Sequence, residues 1–94
     1  MKHVQVVTFR LYITGNAPNS LLARANLADL CGNTSLIANH VEVIDLLQDP
    51  HRALSDGVYM TPTLVKLAPL PEARFVGSLT DLAPIVASLG LKLG

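Results

Sequence analysis

Between residues 7 and 14, apolar and polar side chains alternate without a break. Val7, Phe9, Leu11 and Ile13 fall on one face, and Thr8, Arg10, Tyr12 and Thr14 on the other. A period of two in a run rich in β-formers is a strand. Gly15-Asn16-Ala17-Pro18-Asn19 then interrupts the chain. Ala23, Leu27, Leu30 and Cys31 follow at i, i+4, i+7 and i+8, the buried stripe of a helix. Ser20 or Asn19 can cap it, and Gly32 and Asn33 are natural stop residues. His40 to Leu47 reads as a second strand, with Glu42 and Asp45 set among Val41, Val43, Ile44 and Leu46. Strand, helix and strand in this order form a βαβ unit, whose two strands run parallel with a right-handed crossover. The near-continuous apolar run of the second strand predicts a central position covered on both faces.

The rest of the chain is less regular. Asp49-Pro50 opens a short helix through Leu54, with the proline in its first turn. Val58 to Leu67 holds a strand broken by Thr61-Pro62-Thr63, Pro69 and Pro71 lie in a loop, and Arg74 to Val76 is a short strand ending at Gly77. Ser78 and Asp81 are spaced as a capping box for a last helix, whose apolar face is Leu82, Ile85, Val86 and Leu89. Pro84 is late for a first-turn proline in that helix. Leu89, Leu91 and Leu93 alternate with Gly90 and Lys92, which is a strand period. The C-terminal segment therefore reads as a helix or as a strand.

The 94 residues make a single domain, residues 1–94, with no repeat or linker. So small a domain has a thin core, and a hydrophobic fraction of 50% against 15% charged residues compensates for it. It also leaves apolar surface for self-association or a partner. Seven Lys and Arg balance seven Asp and Glu, and the cations are dispersed, so no nucleic-acid partner is expected. Cys31 is the sole cysteine, which rules out an intramolecular disulfide. Met1 leads into a charged, alternating segment unlike a signal peptide, and no apolar run is long enough to span a membrane. A free-standing cytoplasmic protein is expected, which makes the Asn33-Thr34-Ser35 sequon a chance match.

Four ordered blocks carry a family resemblance. Leu11-Tyr12-Ile13-Thr14-Gly15-Asn16-Ala17-Pro18-Asn19-Ser20 resembles the opening strand and loop of the circadian clock protein KaiB family. Val43-Ile44-Asp45-Leu46 with Asp49-Pro50 resembles its second strand and turn. Met60-Thr61-Pro62-Thr63-Leu64-Val65-Lys66 resembles its third strand, and Pro69, Pro71, Arg74 and Gly77 fit its proline-rich loop and the strand after it. Asn39, Glu42 and Ser78 depart from residues common in the family. The resemblance implies an α/β, thioredoxin-like fold (βαβ-αββα), with Thr61-Pro62-Thr63 at the cis-proline position of that superfamily. It also implies a metamorphic alternative. Residues 1–47 would keep the βαβ half in both forms, while residues 48–94 would exchange helices and strands in a dimeric or tetrameric ground state. Two packings need differ by only a few kcal/mol for such a switch.

The same resemblance implies a non-catalytic timing regulator that binds a KaiC-like ATPase, with KaiA or a histidine kinase as further partners. A sensory or adaptor module of a histidine-kinase pathway is the alternative. A thioredoxin-type enzyme would need a cysteine pair in the loop after the first strand, and Gly15-Asn16-Ala17-Pro18-Asn19 has no sulfur. Cys31, on the apolar stripe, reads as a packing residue. His40 and Glu42 share a strand face but supply two ligands where a metal site needs three or four. The glycines are scattered, with no phosphate loop, and no nucleophile motif stands out, so neither catalytic residues nor a cofactor are expected. Gly15, Asn16 and Pro18 are expected to shape a turn. Pro62, Pro69 and Pro71 are candidate switch positions, because X-Pro bonds isomerise slowly. Lys66 and Arg74 read as solvated charges by pattern; the resemblance makes them partner-binding residues that steer an acidic surface.

Overall fold

The computed structural model describes residues 5–32 and 37–90. The N-terminal alternation becomes β1 (Gln5–Ile13), and the loop after it leads into α1 (Pro18–Gly32). The chain continues through β2 (Ile37–Asp45), α2 (His51–Ser55), β3 (Thr63–Ala68), β4 (Ala73–Val76) and α3 (Ala83–Ser88). The four strands lie in the order β2-β1-β3-β4. β1 pairs parallel with β2, from Gln5 opposite Ile37 to Ile13 opposite Asp45. β3 is antiparallel to β1, with Tyr12 opposite Thr63, and β4 is antiparallel to β3, with Val65 opposite Arg74.

β1 is thus a central strand with both faces covered. Val7, Phe9, Leu11 and Ile13 enter the main core with Ala23, Leu27 and Leu30 of α1 and with Ile85, Val86 and Leu89 from α3 and its end. Tyr12 enters a smaller cluster on the opposite face with Ile44, Val58 and Val65. β2, expected to be central, is an edge strand. Its apolar run is only partly covered, with Ile44 buried and Val43 42% exposed. With one neighbouring strand among the described residues, β2 lies at the margin of the sheet, where the packing layers do not cover its apolar run throughout.

Several local expectations change for identifiable reasons. α1 begins at Pro18, where a proline gives up no helical hydrogen bond, so neither Asn19 nor Ser20 is its cap. The buried Ser20 hydroxyl instead accepts the Thr14 N–H at 3.1 Å. The Ser78–Asp81 capping box does not form: Ser78 Oγ shares a hydrogen bond with Thr80 Oγ1 at 2.8 Å, and Asp81 Oδ1 accepts the Ala83 N–H at 3.1 Å. This later start places Pro84 in the first turn of α3 and removes its conflict with the helix. β3 begins at Thr63, beyond the expected Val58. Leu91 and Leu93, which carried the strand reading of the C-terminus, lie outside the described residues, as do Asn33 and the sequon. Among the described residues, no helix is long and apolar enough to cross a membrane.

Candidate functional site

At one end of the sheet, the loop after β1 meets the segment before β3. Thr14 Oγ1 and Thr61 Oγ1 share a hydrogen bond at 2.5 Å, just ahead of the cis Thr61-Pro62 peptide. Asp45 Oδ1, at the end of β2, accepts the N–H groups of Gly15 at 3.0 Å and Leu47 at 2.9 Å. The Pro62 carbonyl accepts the Gly77 N–H at 2.9 Å. Gly15, Asn16, Pro18 and Pro62 therefore gather at one end. Pro69 and Pro71, also cis, lie in the β3–β4 loop. Cys31 sits near the C-terminal end of α1, a helix length from this loop. Gly15 has φ +51°, and a Cβ there would stand 2.8 Å from Leu47 Cδ1. The exposed Leu47 side chain can swing aside, so Gly15→Ala is expected to cost about 1–2 kcal/mol, chiefly for the left-handed backbone. Urea unfolding curves of the two proteins measure it.

The second feature is a polar network on the face opposite α1 and α3. α2 has no fully buried residue, so apolar burial alone holds it weakly. Asp56, just past its end, compensates. Its Oδ2 accepts the hydroxyl of the buried Tyr12 at 2.6 Å and Arg52 Nε at 3.1 Å, and lies 3.9 Å from Arg10 Nη1. Arg10 Nε in turn donates to Glu42 on β2 at 2.9 Å. Hydrogen bonds from Tyr12, Arg52 and Ser55 hold the Asp56 carboxylate below its ordinary pKa, against the opposing effect of burial. Burial and the bond to Asp56 push the Tyr12 phenol up. Glu42 is exposed, as is His40, and it joins this network through Arg10. Among the described residues no cluster of three or more His, Cys, Asp or Glu is placed to hold a metal ion.

The structure separates Lys66 from Arg74. Arg74 lies opposite Val65, on the α2 face, and Lys66 points to the other face, under α3. Lys66 is 1% exposed and its Nζ donates to the Ser88 carbonyl at 2.7 Å, so the expectation of a solvated charge fails: a helix end arriving from distant sequence covers it. Arg74 stays exposed while Nη1 donates to the Gly57 carbonyl at 2.7 Å and Nη2 to the Asp56 carbonyl at 2.8 Å. Around it, Tyr59, Met60 and Val76 line a shallow depression of 160 Å³. Tyr59 is 87% and Met60 63% exposed. Large apolar side chains clustered around a fixed cation are what a protein-docking surface presents.

The family model described as the KaiB domain matches residues 10–88. The chain belongs to the KaiB family. A "Circadian clock oscillator protein KaiB" of Prochlorococcus marinus is 38% identical over 82 residues, covering 87% of this chain and 69% of the relative. "Circadian clock protein KaiB3" of Synechocystis sp. is 35% identical over 85 residues, covering 90% and 83%. Among solved structures, the N-terminal domain of Synechococcus elongatus SasA superposes with a TM-score of 0.69 at 19% identity, over 93% of this chain and 81% of that one. Chloroplastic thioredoxin z superposes with a TM-score of 0.74, also at 19% identity, over 92% and 80%. The fold of this KaiB-family chain is thus thioredoxin-like. Sequence reading missed Asp56 as the hub of α2, because Ser55-Asp56-Gly57 looks like a plain turn. A faint signal was present: Tyr12 is a large aromatic on the polar face of the first strand, and its hydroxyl needs a partner once buried. Nothing in the sequence singled out Tyr59, and Met60 stood out only as the first residue of the third-strand block.

Proposed function

We propose that this chain is a non-catalytic timing regulator that docks onto a KaiC-type ATPase and alters its phosphorylation cycle. The KaiB-domain match over residues 10–88 carries this reading. The exposed Tyr59, Met60 and Val76 around Arg74 supply a surface of the right character. On this reading Arg74 is a partner-binding residue, and Lys66 contributes by holding α3 in place under the sheet. Residues 48–94 are the half that rearranges between an oligomeric unbound form and the binding form. Affinity then falls by the fraction of molecules not in the competent fold.

Gel filtration of the chain with a KaiC-type ATPase and ATP tests the proposal. The chain is expected to move into the high-mass peak. Tyr59→Ala should weaken this about tenfold or more, as interface aromatics do, with far-UV circular dichroism unchanged. Migration at its own mass with ATPase present, or unaltered binding by Tyr59→Ala, argues against this surface or this partner.

A further inference from the structure

On the face of the sheet away from Arg74, a cavity of 320 Å³ lies between α1 and β2. Leu11 and Leu27, both buried, are part of its lining, and Cys31, Val41 and Val43 continue it with apolar surface. Among the described residues, the polar side chains lining it are those of Arg24 and Asn39, both exposed. Among the described residues no carboxylate lines the cavity and Arg24 makes no ion pair. The space is about twice that of a 150 Å³ apolar cavity able to hold benzene, and it falls at the lower end of small-ligand sites.

We propose that this cavity binds a small amphipathic carboxylate, its alkyl chain along Leu11, Leu27 and Val41 and its head at the Arg24 guanidinium. Chain and charge are both required by the lining. An uncharged alkane leaves the cation unused, and a small polar anion leaves the leucine and valine surface wet. A chain of about ten carbons suits the volume. Arginine favours a planar carboxylate, which it can hold by two parallel hydrogen bonds. The site lies on the opposite side of the sheet from the docking surface and does not depend on it.

Cys31 makes the site observable, because it is the chain's one cysteine and it lines the cavity. Burial pushes its thiol pKa up, so modification by a maleimide is followed at mildly alkaline pH. Decanoate, kept below its micelle-forming concentration, is expected to slow this modification saturably, and decanol at equal concentration to do so about tenfold less effectively. Arg24→Gln should erase the advantage of decanoate while leaving the effect of decanol alone. Ala28→Trp, placed at an exposed lining position, should fill the space and abolish protection by both, with unchanged far-UV circular dichroism as the folding control. No protection of the wild-type chain by decanoate overturns the proposal. So does equal protection by decanoate and decanol in wild type, which would indicate apolar partitioning without a site for the head group.

Discussion

Replacing Lys66 by alanine is expected to lower the stability of the thioredoxin-like fold by about 2–4 kcal/mol, a large share of what a domain of this size has. The side chain is 1% exposed, and its ammonium group donates to the carbonyl of Ser88, the last residue of α3. Carbonyls at a helix C-terminus lack intrahelical partners and carry the negative end of the helix dipole, so a cation there is favoured. Alanine removes both the packed stem and the hydrogen bond. Lys66→Met keeps most of the packing and loses only the bond, so it should cost about 1–2 kcal/mol. Urea unfolding followed by far-UV circular dichroism measures both changes. Hydrogen exchange in residues 83–89 should accelerate most in the alanine variant, because α3 is what the lysine holds. A loss below about 0.5 kcal/mol for alanine would mean that Lys66 is not buried in solution.

Asp56→Ala is expected to cost about 2–3 kcal/mol, since it leaves the buried Tyr12 hydroxyl without its acceptor and removes the hydrogen bond from Arg52 of α2. Tyr12→Phe alone should cost about 1 kcal/mol, and in the double variant the two losses should fall short of their sum by a comparable amount. Additive losses would deny the hydrogen bond. The same pair sets an acid dependence. The folded-state pKa of Asp56 is depressed below its unfolded value of about 3.9. The unfolded chain therefore takes up the proton first as pH falls. The stabilisation is fully present above about pH 4 and is lost as pH drops through the lower folded value. Carbon-detected NMR titration of the Asp56 carboxyl should show this depression in wild type and a rise in Tyr12→Phe, because Tyr12 is its largest cause.

Much of the fold was legible because local periodicity reports which face of an element is buried. Val7, Phe9, Leu11 and Ile13 enter the core as their alternation requires, and so do Ala23, Leu27 and Leu30 at helical spacing. The sulfur-free loop at residues 15–19 was also a direct reading. Boundaries moved where a proline had more than one permitted place: Pro18 opens α1 at its first residue, and Pro84 draws the start of α3 to Ala83.

The sequence by itself determined the elements through β4, their order, the family and the lack of sulfur in the loop that follows β1. Only the tertiary structure decided which strand is an edge, which cation is buried and which polar group holds α2. The first set depends on contacts within a few residues, where the backbone period imposes the face. The second depends on pairs far apart in the chain, such as Tyr12 with Asp56 and Lys66 with Ser88, whose meeting is set by how helices dock on the sheet. For this reason Lys66 and Arg74, neighbours on the strands flanking one loop, ended on opposite faces. One is a buried clamp on α3, and the other is the exposed centre of the proposed docking surface.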